Sequence, residues 1–375
     1  MRGTFLMRFC APCLFGVEGL LADELRRMDI KDVTPENGCV LFSGDIRTMC
    51  RVNLRSRVAE RILLVLGEFH AASFDELFEN VKRLPFEQYI RKTDAFPAKG
   101  WSLDSKLHSV PDIQKIVKKA AVNRLKSYYG ISWFEETGAK NQLQFSILKD
   151  RARIMIDTSG EGLHKRGYRE NANSAPIRET LAAAMAQAAR VYPDSVMYDP
   201  FCGSGTILIE SALIAHNIAP GLRRGFALES LGWVDQEIFS DEREAAFADI
   251  KRNHDFIAYG SDIDKRALGL CAQNAKKAGV DYSIKTTVKD ICDFETDDGK
   301  GLVITNPPYG ERMLDIEQAR KLYAVMGGKF VRQRGWRYYI ITPDERFEEC
   351  FGKKADKRRK LYNGMIKCQM YMYFK

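Results

Sequence analysis

Along the chain, hydrophobic positions change rhythm more than once. A short apolar run predicts a strand over 5–9, and Val17, Leu20, Leu21 and Leu25 recur at helical spacing over 16–28. A strand over 40–42 and a helix over 45–57 follow, which closes a small α+β unit at about residue 60. The next hundred residues repeat the theme. A strand over 62–66 precedes a helix over 74–84 with Ser73 as its N-cap, and 101–104 reads as strand-like. Pro111 opens a long helix to 129 with Ile113, Ile116, Val117, Ala120 and Ala121 on one face. Strands over 143–148 and 153–157 form a hairpin turning at Lys149-Asp150. Beyond 161 strands and helices alternate. An Ala-rich helix over 177–191 leads to strands at 196–199, 257–262, 284–288, 302–305, 336–341 and 365–374. Helices at 206–215, 265–278 and 316–332 separate them, and 220–256 reads as a polar, partly helical insertion beside the sheet. This alternation predicts an α/β fold with a mostly parallel, doubly wound sheet.

Composition narrows the class. With 375 residues, 45% of them hydrophobic and 29% charged, the chain has enough apolar material for two or three packed domains. Its most apolar helical segment, 206–215, is interrupted by Glu210 and is too short for a membrane span. Nothing near residues 1–16 reads as a cleavable signal, so a cytoplasmic location is expected. Nine cysteines, an odd number, argue against a disulfide framework. Cys10 and Cys13 have C-x-x-C spacing but lack a second pair, so no metal site is expected and two small apolar strand residues are the simpler reading. The net charge is +8, and 81–130 holds eleven Lys/Arg against four Asp/Glu. Such clustering points to a polyanion such as nucleic acid, with a solvated helix face as the alternative.

Candidate chemistry lies at the ends of the later strands. Asp199-Pro200-Phe201-Cys202-Gly203-Ser204-Gly205-Thr206 leaves a strand and opens a helix, so the backbone can approach a ligand there. A carboxylate at Asp199 would repel a diphosphate but attract an ammonium group. S-adenosylmethionine carries an α-ammonium and a carboxylate and no phosphate, and the helix N-terminus can take the carboxylate. The next strand ends in Asp262-Ile263-Asp264, where Asp262, and second Asp264, is placed to accept ribose hydroxyls. The third leads to Asp290-Ile291, whose acid can accept an adenine amine. The residues expected to touch this donor are Asp199, Phe201, Gly203, Gly205, Thr206, Asp262, Asp290, Ile291 and Asn306.

The fourth of these strands ends in Asn306-Pro307-Pro308-Tyr309. The Asn306 side-chain oxygen and the Pro307 carbonyl can each accept one hydrogen of an exocyclic amine, while Tyr309 stacks on the ring. Orientation of this kind supplies roughly 7–11 kcal/mol in favourable cases. Asn306, Pro307 and Tyr309 are therefore the expected catalytic residues.

Asp-Pro-Phe-Cys-Gly-Ser-Gly-Thr, Gly-Ser-Asp-Ile-Asp and Asn-Pro-Pro-Tyr-Gly-Glu-Arg resemble the motifs of amino-methyltransferases that modify guanine N2 in RNA. Residues 164–169, 175–180 and 355–364 resemble flanking segments of that family, and 61–160 resembles a THUMP RNA-binding domain preceded by a ferredoxin-like half. The resemblance spans nearly the whole chain and is closest to single bacterial large-subunit (23S) rRNA guanine-N2 methyltransferases. It implies a ferredoxin-like unit at 1–60, a THUMP domain at 61–160 and a Rossmann-like methyltransferase domain at 161–375. RNA contacts are expected at Lys115, Lys118, Lys119, Arg124, Lys126, Lys357, Arg358 and Arg359, with Lys353, Lys354 and Lys360 in the same C-terminal run. A tRNA guanine-N2 enzyme, amine methylation of adenine N6 or protein glutamine, and a non-catalytic ribosome-assembly factor remain alternatives.

Overall fold

The computed structural model describes residues 6–169, 177–252, 255–296, 299–309 and 315–374. Phe5, Ala175, Pro176, Gly310, Glu311 and Arg312, which entered the expectations above, lie outside them. Two seven-stranded sheets carry the chain. The first runs Thr34–Glu36, Cys39–Gly44, Met7–Pro12, Leu63–His70, Arg151–Asp157, Leu143–Leu148 and Ala98–Leu103. Its pairs are antiparallel except Ala98–Leu103 with Leu143–Leu148, which the helix Val110–Tyr129 connects in parallel. Since Met7–Pro12 pairs with Leu63–His70, hydrogen bonding crosses residue 60, and the two expected α+β units share one sheet. Lys149 and Asp150, both at positive φ, make the hairpin turn, and Ser73 caps its helix by accepting from the Glu76 amide.

The second sheet runs Ile284–Val288, Ile257–Asp262, Val196–Asp199, Gly301–Thr305, Trp336–Thr342, Ile366–Tyr373 and Lys357–Asn363. The first five strands are parallel, and the last two pairings are antiparallel. The carboxyl ends of the parallel strands meet on one edge, where open sheets of this kind bind ligands.

Lys357–Asn363 forms the edge strand of the second sheet, an element that the sequence pattern did not indicate. Exposed charge suits an edge and masks the strand pattern. The segment after 220 is tied to the helix Thr206–Ala215 through the Lys251 amide, which donates to the His216 carbonyl at 2.8 Å, and it also reaches the N-terminal unit. Its helix Gln236–Ala248 packs on Ile46–Arg55, with Glu242 accepting from Arg51 at 3.0 and 3.1 Å and from Arg47 at 3.3 Å. Trp233 meets Tyr89 edge-on at 5.3 Å.

One hydrophobic cluster runs from Phe9 through Leu181 and Leu208 to Met372, so the N-terminal sheet and the second sheet share a core. Buried polar ties reinforce the junction. Arg166 donates to Glu210 at 3.4 Å, to the Leu163 carbonyl at 2.6 Å and to the Arg57 carbonyl, and Tyr168 donates to Glu210 at 3.0 Å. Glu60 binds His164 at 3.1 Å, Arg178 at 3.4 Å and the Thr180 hydroxyl. Arg166 and Arg178 thus pair with acids. No helix among the described residues is long and apolar enough to cross a membrane.

Candidate active site

A cleft of about 580 Å³ opens at the carboxyl edge of the second sheet. Asp199, Phe201, Gly203, Thr206, Asp262, Asp290, Ile291, Asn306, Pro307 and Tyr309 all line it. Of the residues expected to touch a donor or substrate, Gly205 alone stands outside this lining. It is the N-cap of Thr206–Ala215 at φ +83°, and a Cβ there would lie 2.3 Å from Cys271 Sγ. The residue is needed for the turn and for packing against Lys265–Ala278.

Asp199 ends its strand almost fully buried. Its Oδ1 accepts from the Thr305 hydroxyl at 2.7 Å and the Phe201 amide at 3.1 Å, leaving Oδ2 without a partner among the described residues. Burial, with a smaller contribution from the nearby Asp262 charge, pushes its pKa up to about 7. Gly203, at φ +50° and with open space where a Cβ would stand, donates its amide to Asp262 Oδ2 at 3.0 Å. Asp262 Oδ1 accepts from the Asp264 amide at 2.9 Å. Asp264 caps Lys265–Ala278 by accepting from the Arg266 amide at 2.8 Å, so it is the weaker ribose candidate. Asp290 accepts from the Cys292 amide at 2.7 Å, a bond that holds its carboxyl below the ordinary range.

The helix Thr206–Ala215 has no side-chain cap, so its first-turn amides face the cleft uncapped. The Thr206 hydroxyl receives Arg169 Nη1 at 3.2 Å, and Arg169 is anchored on Glu179 at 3.0 Å. Opposite these groups, Asn306 Oδ1 is buried with no hydrogen-bond partner among the described residues. Such an acceptor costs free energy unless a ligand satisfies it. Tyr309 is fixed by Asn363 Nδ2, which donates to its hydroxyl at 2.8 Å. Thr305, Asn363 and the cleft-lining Lys289 received no role from sequence. Asn363 lies inside the 355–364 segment already singled out, which is the signal that could have found it.

Three acids, uncapped helix amides and an orphaned amide oxygen suit a zwitterionic amino acid joined to a nucleoside. Cys202 is buried behind the loop beside Cys271, and Cys10 and Cys13 are buried in the first sheet.

The basic residues are dispersed. Lys118 is turned inward, bonded to Glu136 and to the Phe96 carbonyl at 3.2 Å and lying 3.5 Å from the Phe96 ring centre. Arg124 grips Glu87, and Arg358 grips Glu348, each through two hydrogen bonds. These three cations also tie elements together. Lys353 likewise donates to the Gly327 and Phe330 carbonyls at 2.6 and 2.7 Å, closing the end of Ile316–Lys329. Lys115 is exposed and pairs with Asp112 at 3.3 Å. Lys119, Lys354, Lys357 and Lys360 are exposed, whereas Lys126 and Arg359 are half-buried.

Comparison with known proteins agrees with this geometry. Residues 166–372 match the model of the RMKL-like methyltransferase domain, 8–63 the RlmL ferredoxin-like domain, and 71–157 the THUMP domain. YpsC of Bacillus subtilis (strain 168) is 42% identical over 97% of this chain and 95% of its own length. Ribosomal RNA large subunit methyltransferase K/L of Syntrophotalea carbinolica is 33% identical over 97% of this chain, and 53% of that protein is matched. The chain spans about half the length of the K/L relatives. Among solved structures, SMU.472 in complex with SAH superposes with a TM-score of 0.91, 41% identity and 98% coverage of both chains. A protein from Listeria monocytogenes str. 4b F2365, named a predicted N6-adenine-specific DNA methylase, superposes at 0.93 with 45% identity, covering 99% and 97%. The methyltransferase model covers more than half of the sequence and YpsC aligns along nearly all of it, so this chain belongs to the RMKL-like methyltransferase family.

Proposed function

We propose that the chain is an S-adenosylmethionine-dependent RNA methyltransferase that transfers methyl to the exocyclic N2 of a guanine in large-subunit (23S) rRNA. The observation that carries this reading is the buried, unpartnered Asn306 Oδ1 in the same cleft as Asp199, Asp262 and Asp290. Asp199 Oδ2 receives the donor's ammonium, the first-turn amides of Thr206–Ala215 receive its carboxylate, Asp262 its ribose hydroxyls and Asp290 its adenine amine. Phe201, Gly203, Thr206 and Ile291 shape the same wall. The donor supplies a sulfonium methyl already activated for transfer. Asn306 Oδ1 and the Pro307 carbonyl accept the two amine hydrogens, which aims the nitrogen lone pair across the cleft. Tyr309, its hydroxyl held by Asn363, stacks on the base.

A paired guanine cannot reach Asn306, so the target is unpaired or flipped, at a cost of a few kcal/mol. Stacking on Tyr309 returns about 1–3 kcal/mol. The RNA reading draws on the THUMP match, on exposed Lys115 and Lys119 with half-buried Lys126, and on the name of the K/L relatives. Adenine N6 is the second reading, favoured by the name of the Listeria relative, because its amine offers the same two hydrogens. Nucleoside mass spectrometry of rRNA, tRNA and DNA from a deletion strain tests the proposal. Loss of N2-methylguanosine from large-subunit rRNA alone supports it. The same loss from tRNA, or loss of N6-methyladenine, replaces it.

A further inference from the structure

On the opposite edge of the catalytic sheet, where the parallel strands begin, lies a larger cavity of about 1080 Å³ between the N-terminal unit and the methyltransferase domain. Arg27, Arg55 and Arg57 enter it from the first and Arg190, Arg337, Lys357 and Arg359 from the second. Among the described residues, the acids in its lining are Asp23 and Glu24, and Asp249 pairs with Arg55 at 2.7 Å. Asp23 is taken by Arg26 at 3.0 Å, and Glu24 accepts from the Arg57 amide at 2.6 Å. Among the described residues, Arg27, Arg190, Lys357 and Arg359 pair with no acid. Strand alternation sends Lys357 and Arg359 to this side and Arg358 to the other, where it meets Glu348.

Around the cavity several buried polar atoms have no partner among the described residues: Arg57 Nη1, Arg55 Nε, Gln187 Oε1 and, from the opposing acid, Glu24 Oε2. Burial pushes the Arg57 guanidinium down to about 10, against the opposing attraction of Glu24 and Glu210. The groups that a phosphate chain can reach are the exposed Arg27, Arg190 and Lys357 and the half-buried Arg359. A second chamber of about 980 Å³, lined by Lys300, Arg332 and Arg334 against Asp194, shares Tyr192, Arg337 and Phe374 with the first. Tyr192 and Phe374, 51% and 41% exposed, thus stand where the chambers join. Aromatic faces beside a cationic trough are the recurring means of holding unpaired nucleotides.

We propose that this trough is a second RNA-binding surface, holding a single-stranded segment of the substrate on the side of the sheet away from the methyl-transfer cleft. The proposal rests on the RNA-substrate reading. It means that the RNA reaches around the catalytic domain and is gripped at both edges of one sheet.

The test compares wild type with the triple variant Arg27→Gln/Arg334→Gln/Arg359→Gln and with Tyr192→Ala. Binding of end-labelled, protein-free bacterial large-subunit rRNA is measured across a salt series, with SAH calorimetry as the control for an intact cleft. Three lost phosphate contacts make the log-affinity against log-salt slope shallower by about 2 and weaken binding roughly a hundredfold near ~0.1 M salt. Tyr192→Ala weakens binding about tenfold without changing the slope. SAH affinity stays unchanged in both. If wild type binds the RNA and the triple variant binds it equally well with the same slope, the trough is not an RNA surface, while the substrate reading stands. If wild type binds no RNA, the substrate reading falls and takes the trough with it. If inorganic tripolyphosphate binds one-to-one, is lost in the triple variant and leaves RNA affinity untouched, the trough holds a small anion and the proposal is overturned.

Discussion

Replacing Asp199 with Asn separates charge from shape in the donor cleft. Asp199 Oδ1 accepts from Thr305 and Phe201, and an Asn oxygen in its place keeps both bonds, so the variant loses only the ability to ionise. With a pKa of about 7 in the ligand-free protein, the carboxylate is about 3% populated at pH 5.5 and about 50% at pH 7.0. If only the carboxylate binds the donor's ammonium, apparent affinity rises about sixteenfold over that range. An α-amino group titrates near ~7.7–8.0, so the ligand keeps its charge throughout. Isothermal titration with SAH at four pH values reads this directly. Wild-type affinity climbs, whereas Asp199→Asn binds weakly and its affinity stays flat.

Stability of the ligand-free protein moves the opposite way. The folded carboxyl holds its proton up to about 7, whereas the unfolded one releases it near 3.8. The stabilisation is therefore complete below 3.8 and is lost as pH rises through about 7. At ~1.4 kcal/mol per pH unit, the loss reaches about 4 kcal/mol, seen as a growing stability advantage of Asp199→Asn in urea melts. A pH-independent wild-type affinity, or an Asn variant that binds SAH as wild type does, would refute the assignment of Asp199 to the ammonium.

Asn306→Ala removes an oxygen that no group among the described residues satisfies. The fold and SAH affinity are expected to hold while methyl transfer to RNA falls at least about a hundredfold, measured with radiolabelled donor. Gly205→Ala places a methyl against Cys271 at φ +83° and costs about 2–5 kcal/mol in chemical denaturation. Gly203→Ala, which meets open space, costs only about 1 kcal/mol in the same assay but weakens SAH binding, because its new methyl projects into the cleft. Glu210→Ala strands the buried Arg166 cation and the Tyr168 hydroxyl, lowering stability by about 3 kcal/mol in thermal melts.

The catalytic sheet was legible where short apolar runs end at Gly, Pro or Asp. Strands Val196–Asp199, Ile257–Asp262 and Ile284–Val288 and helices Thr206–Ala215 and Lys265–Ala278 fall at their expected bounds. Helix ends fell short where the outermost residues became caps, as at Asp45, whose carboxylate accepts from the Thr48 amide at 2.8 Å. The strand Lys357–Asn363 was hidden because four consecutive cations obscure an alternation that an edge position tolerates. The strand-end acids were readable because topology alone brings them to one edge. The groups that hold them, such as Thr305 behind Asp199 and Asn363 behind Tyr309, depend on side-chain packing that periodicity does not encode. The ion pairs of Lys118 and Arg124 were not readable, because their acids, Glu136 and Glu87, are distant in sequence and arrive only through folding.

The buried bonds of Arg166, Glu210 and Glu60 have a consequence for target choice. Sub-globular opening needs a seam with few buried contacts, and this junction has a shared core and charged groups that are costly to separate. The span from the THUMP-bearing sheet to Asn306 is therefore a fixed gauge. On the proposed RNA substrate, that fixed span sets how far the modified nucleotide stands from the THUMP contact, which makes the substrate's own folded shape part of what the protein tests.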